Sequence, residues 1–100
     1  MNENSKYQNV LEVLSENSPR SRVAADLLNR QLPNLNIPTK TMGGEVFWEN
    51  IAEGNGYKFQ RNLITHHARI LDSNNVRIAW GNIQEMVEAM DYVAVKISKI

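Results

Sequence analysis

The chain contains no cysteine. A disulfide framework and thiolate metal sites are thereby excluded, and a reducing compartment is expected. Long apolar runs are also missing. No window approaches the roughly 20 apolar residues needed to cross a bilayer. The polar start, Met1 to Tyr7, is not followed by a signal-peptide core. A cytoplasmic protein that does not enter the membrane is therefore expected. An excess of charge of one sign is lacking too: 11 basic residues balance 11 acidic ones. A neutral chain is not a general nucleic-acid coat, because it has no field to draw a polyanion from a distance. Proline, glycine and aromatic residues are sparse, at 3, 5 and 7 of 100, and no repeat or low-complexity tract occurs.

What is present suits one small folded domain. The chain is 100 residues long and 42% apolar, enough to bury a core without staples. The charge, though balanced, is uneven. Residues 1–56 carry five basic and seven acidic side chains, a net −2. Residues 57–80 carry Lys58, Arg61, Arg69 and Arg77 against Asp72, a net +3, and residues 81–100 carry two basic and three acidic, a net −1. A local anion site is thus possible within a neutral protein.

Helical patterns flank the basic stretch. Tyr7, Val10, Leu11 and Leu14 fall at i, i+3, i+4 and i+7, which predicts a helix over about 5–16. Asn17-Ser18-Pro19 interrupts it. Ser18 is suited to an N-cap and Pro19 to the first helical position, where its missing N–H costs nothing. A second helix is expected from Pro19 to about Gln31, ended by Pro33. An extended connector over 32–40 follows, with room for a short strand at Leu35 to Ile37, and then Gly43-Gly44. Phe47, Trp48, Ile51 and Ala52 form two i, i+4 pairs, which favour a short third helix over about Glu45 to Glu53. The alternative is a strand closed by a hairpin turn at Gly54-Asn55-Gly56. After Gly81, Asn82 with Glu85 three residues on marks the start of a C-terminal helix, whose stripe is Ile83, Met86, Val87 and Met90. Beyond Asp91 helix and strand patterns coexist.

Three short strands are expected between these helices. Tyr57 to Gln60, His66 to Leu71 and Val76 to Trp80 alternate with period two. Asn62 to Thr65 and Asp72 to Asn75 can turn. The fold class is therefore α+β: two N-terminal helices and a short third helix packed on a three-stranded antiparallel meander, followed by a C-terminal helix.

Strand alternation assigns faces. Tyr57, Phe59, Ile70, Val76, Ile78 and Trp80 are expected to face the helices. Lys58, Gln60, His67, Arg69 and Arg77 are then expected to share the outer face. Polar residues are the default on the solvated side of an antiparallel sheet. Two arginines there also offer planar forks for phosphate or carboxylate, and both should be dispensable for folding. His66 and His67 point to opposite faces and cannot readily share a metal; His66 is expected at the core edge. Neither Asp72 to Asn75 nor Gly43-Gly44 has the spacing of a calcium or phosphate loop. No metal or cofactor is implied.

These features point to a small non-catalytic binding module. Its expected site is Lys58, Gln60, His67, Arg69 and Arg77, and its partner an acidic protein surface or nucleic-acid phosphate. Two alternatives stay open. The first two helices, with Arg20, Arg22 and Arg30 on the second, loosely resemble a helix-turn-helix, and the sheet could be the wing of a winged-helix DNA-binding protein. His67 with Arg69 and Arg77 could also serve a small phosphodiesterase or nuclease.

Overall fold

The computed structural model describes residues 4–32, 39–40 and 47–99. The expected strand at Leu35 to Ile37 and the glycine pair 43–44 lie outside them. Among the described residues the chain is α+β, with three helices and one antiparallel sheet. Helix α1 (Asn4–Leu14) buries Tyr7, Val10, Leu11 and Leu14, the stripe read from the sequence, and Val13 beside it. Asn17, in a left-handed conformation, turns the chain into α2 (Pro19–Gln31). The Oγ of Ser18 accepts from the Ser21 amide, and the Oγ of Ser21 accepts from the Ser18 amide. Two orphan donors of the helix start are satisfied by this reciprocal pair.

The two-residue β1 (Thr39–Lys40) pairs with one edge of the sheet. The rest is a four-stranded meander of β2 (Trp48–Gly54), β3 (Tyr57–Asn62), β4 (His67–Leu71) and β5 (Val76–Asn82), giving the order β1-β5-β4-β3-β2. The expectation of three strands and a short helix before them is thus corrected: Trp48 to Gly54 is a strand. Its helical spacing arises from a bulge. Asn50 pairs with Gln60 and Ala52 with Phe59, so Ile51 is an extra residue and breaks the period of two. The hairpin closes through Asn55 (φ 52°) and Gly56 (φ 85°) between the paired Gly54 and Tyr57. Two positive φ values in a two-residue Asn-Gly loop are those of a type I′ turn, whose twist matches the strands.

Helix α3 (Ile83–Ile97) begins as predicted. The Oδ1 of Asn82 accepts from the Glu85 amide at 2.8 Å, and the Glu85 carboxylate accepts from the Asn82 amide at 3.4 Å. The ambiguity past Asp91 resolves as helix, because Val93 and Ile97 continue the buried stripe of Met86, Ala89 and Met90. Helices α1 and α3 cover one face of the sheet, and α2 packs against both. The core lies between these helices and Ala52, Phe59, Ala68, Ile70 and Ala79 of the strands. Phe59 meets Tyr7 edge-on, with ring centroids 5.4 Å apart, a favoured aromatic geometry.

Close approach of α1 to β2 depends on Gly54. A Cβ there would lie 2.8 Å from the Gln8 carbonyl oxygen and 2.9 Å from the Glu12 Cγ. Backbone cannot retreat cheaply, so Gly54→Ala is expected to destabilise the fold by about 1–3 kcal/mol in urea denaturation.

Tyr57 adds a pH dependence. Burial, and then the Asp72 carboxylate, raise its phenol above the ordinary value. A folded-state pKa above the unfolded one contributes stability that is complete below the unfolded pKa and is lost as pH rises through the folded pKa. Thermal melts between about pH 9 and 11 should therefore show a smaller alkaline loss for Tyr57→Phe than for the wild type.

Candidate functional site

The outer sheet face is built from registered cross-strand rows. Asn50, Gln60, Arg69 and Trp80 are direct neighbours on β2, β3, β4 and β5. The adjacent row is Glu53, Lys58, Leu71 and Arg77. Paired residues project to the same side, and Phe59, Ile70 and Ala79 occupy the core side. Lys58, Gln60, His67, Arg69 and Arg77 therefore share one face. They do not share one environment.

Arg69 is only 5% exposed and Gln60 4%. The Nε of Arg69 donates to Gln60 Oε1 at 2.8 Å, and Gln60 Nε2 donates to Asn50 Oδ1 at 2.8 Å. The Trp48 ring lies 3.9 Å from the Arg69 guanidinium carbon, a cation–π contact. The solvated Arg69 and Gln60 expected from alternation are thus corrected to a buried, bonded pair. Leu71, beside them, is also buried, at 1%. The centre of this face is not the wet surface that the polar pattern suggests.

Trp80 is the second correction. Against the expectation, the register turns Ala79 inward and sets Trp80 in the outer row, although Trp80 still packs against the edge of the core. Arg77 pairs with Leu71 and Ala79 with Ile70, so Ile78 is an extra residue in β5. The bulge changes the phase of the strand. Ala79 enters the core, while Trp80 joins the outer row and carries the Arg77 guanidinium 4.1 Å from its ring. Both tryptophans are partly exposed on this face.

Of the remaining cations, Arg22, Lys96 and Lys99 lie on the helices or just past α3 and form no ion pair among the described residues. Among the described residues, Lys6 pairs with Asp91, Arg20 with Glu16, Arg30 with Asp26 and Arg61 with Glu49. The Arg20 contact holds the Glu16 carboxyl below its ordinary pKa. Lys58 and Arg77 have no carboxylate within ion-pair distance among the described residues, and the Arg77 Nε is buried without a hydrogen-bond acceptor. They flank Leu71 in one row.

His67 is exposed at the start of β4, where its register partner is Asn82. His66 is exposed and left-handed (φ 61°), in the turn and not at the core edge. Among the described residues no group of three or more His, Cys, Asp or Glu side chains could hold a metal ion. No described helix is long and apolar enough to cross a membrane.

Two further surfaces escaped the sequence. Leu63 and Ile64 are 52% and 64% exposed at the β3–β4 turn, beside Phe47 at 53%. The Asn62 carboxamide accepts from the Ile64 and Thr65 amides, and the Leu63 amide donates to the Phe47 carbonyl at 2.7 Å. The signal was an apolar pair inside a predicted turn. A cleft of about 420 Å³ also opens between helices and sheet, lined by Tyr7, Glu49, Asn50, Ile51, Arg61, Ile83 and Val87. Its charged side chains already pair with each other.

Burial separates the two outer arginines in a measurable way. Arg69→Ala strands the Gln60 amide and should destabilise the fold by about 2 kcal/mol. Arg77→Ala removes no hydrogen bond at Nε and should cost less than about 1 kcal/mol, read as urea midpoints at unchanged m. No family profile, curated protein or solved structure matches the chain.

Proposed function

We propose that this chain is a non-catalytic binding module that captures an anionic group of a partner on the outer face of its sheet. The group is a nucleic-acid phosphate or a carboxylate of an acidic protein surface. Lys58 and Arg77 are the contact cations; Gln60 and Arg69 form the base beneath, and His67 lies at the rim. The observation that carries this reading is the state of Arg77. Its guanidinium is oriented by the Trp80 ring, and its Nε is buried with no acceptor. The Nε itself is covered, but the side chain is partly exposed and has no carboxylate within ion-pair distance among the described residues, so the rest of its fork can meet an incoming oxyanion. An arginine already held flat also loses less freedom on binding a planar acceptor.

The alternatives draw less support. A helix-pair DNA reader would rely on Arg20, Arg22 and Arg30 of α2, of which Arg20 is engaged by Glu16 and Arg30 by Asp26, leaving Arg22 alone without an ion pair among the described residues. A phosphodiesterase would need Arg69 beside His67 at the substrate, but Arg69 is 5% exposed and bonded to Gln60.

The test is binding of polyanions at low salt, by calorimetry, to wild type, Arg77→Gln and Lys58→Gln. Each variant should weaken binding by about tenfold, the loss of one charge-assisted hydrogen bond of about 1.5 kcal/mol, with the melting temperature held. Equal affinity of both variants and wild type, or no binding of any polyanion, overturns the reading.

A further inference from the structure

We infer that the anionic partner is a single-stranded nucleic acid, with bases stacked on Trp80 and Trp48 and phosphates held by Arg77 and Lys58. This rests on the anion-capture reading and names its ligand. The added observation is the position of the only two tryptophans in the chain. Both lie by register on the face that carries Lys58 and Arg77; Trp80 also packs against the edge of the core, and Trp48 does not belong to it. Trp80 is registered with Arg69, and Trp48 is registered with Asn62 on the row beyond Asn50. Each indole has a guanidinium over it, at 3.9 Å for Trp48 and 4.1 Å for Trp80. A guanidinium occupies one side of a ring and fixes its tilt. Each tryptophan is partly exposed.

An indole held in this way is a stacking platform for any base, since every base has a π-face. Bases inside a duplex are stacked on one another and present only their edges, so such platforms select unpaired strands. An acidic peptide would use the cations and leave the indoles idle. The spacing adds a length requirement. Trp48 on β2 and Trp80 on β5 are three strand spacings apart, about 14 Å. One base cannot span both, so full contact needs several linked nucleotides. Arg77 is three residues from Trp80 on β5 and two strands from Lys58 in its own row. Phosphates between two stacked bases would pass over these cations.

Net charge sets the strength of salt dependence. The chain is neutral overall, so it has no long-range attraction for a polyanion. Two phosphate contacts predict a log–log salt slope of about −1.4, at about 0.7 per contact on a single strand. That is a shallow dependence compared with a basic coat protein.

The experiment is a tryptophan-fluorescence titration with an oligothymidylate of about 12 nucleotides. The same strand annealed to its complement, and polyglutamate, are run in parallel. The single strand should quench the emission, and the duplex should bind at least about tenfold more weakly, because its bases cannot stack on the protein. Trp80→Leu should weaken single-strand binding about tenfold, within the range for one base–aromatic stack. Trp80→Phe should retain most of the affinity, which separates stacking from packing if the leucine variant is poorly folded. Arg77→Gln should reduce the salt slope by about 0.7. Single-strand binding without quenching, or equal loss in the leucine and phenylalanine variants, overturns the inference. If polyglutamate binds in an Arg77-dependent way and the single strand does not bind, this inference fails and anion capture stands. If neither binds, both fail.

Discussion

A guanidinium cannot give up its charge in a protein, so burying one obliges the surroundings to solvate it. Arg69 imposes that obligation here. Its Nε is bonded to Gln60, Gln60 is bonded to Asn50, and the Trp48 ring lies over the cation. Three strands are thereby held in one register by polar contacts on the side away from the core. A slip of one residue would turn each of these side chains to the other face and leave a charge buried among alkyl groups. The same contacts hold Trp48 over the face. Arg69 is thus spent on building the surface, and Lys58 and Arg77 are the cations of this face left to meet a partner.

Two bulges shape what that surface presents. Each inserts an isoleucine, Ile51 in β2 and Ile78 in β5. In β2 the extra residue carries Trp48 and Asn50 to the outer face while Ala52 and Gly54 turn inward, where α1 closes on the glycine. In β5 it sends Ala79 into the core and Trp80 outward beside Arg77. A strictly alternating pair of strands would have put these aromatic and basic residues on opposite sides. Bulges serve generally to re-aim side chains in this way. Here they bring both tryptophans onto the basic face.

Much of the scaffold was legible because it rests on local physics. The caps at Ser18 and Asn82, the apolar stripes of α1 and α3, and the inward Phe59 follow from spacing and from hydrogen bonds within three residues. The shared face of Lys58, Gln60, His67, Arg69 and Arg77 also followed from alternation. Two of the misreadings arose at the bulges. Ile51 disguised β2 as a helix, and Ile78 moved Trp80 to the outer row. An inserted residue leaves no mark in a pattern count, because its position depends on the partner strand.

By itself, the sequence determined an α+β chain, both ends of its second helix, the start of its third, and the face on which five polar side chains lie. Those features depend on dihedral preference, capping and periodicity, all of which act between near neighbours. The tertiary structure alone decided that Arg69 and Gln60 are buried, that Arg77 keeps an unsatisfied Nε, and that two indoles lie over the arginines. Burial and cross-strand contact join residues remote in the chain, so no local pattern encodes them.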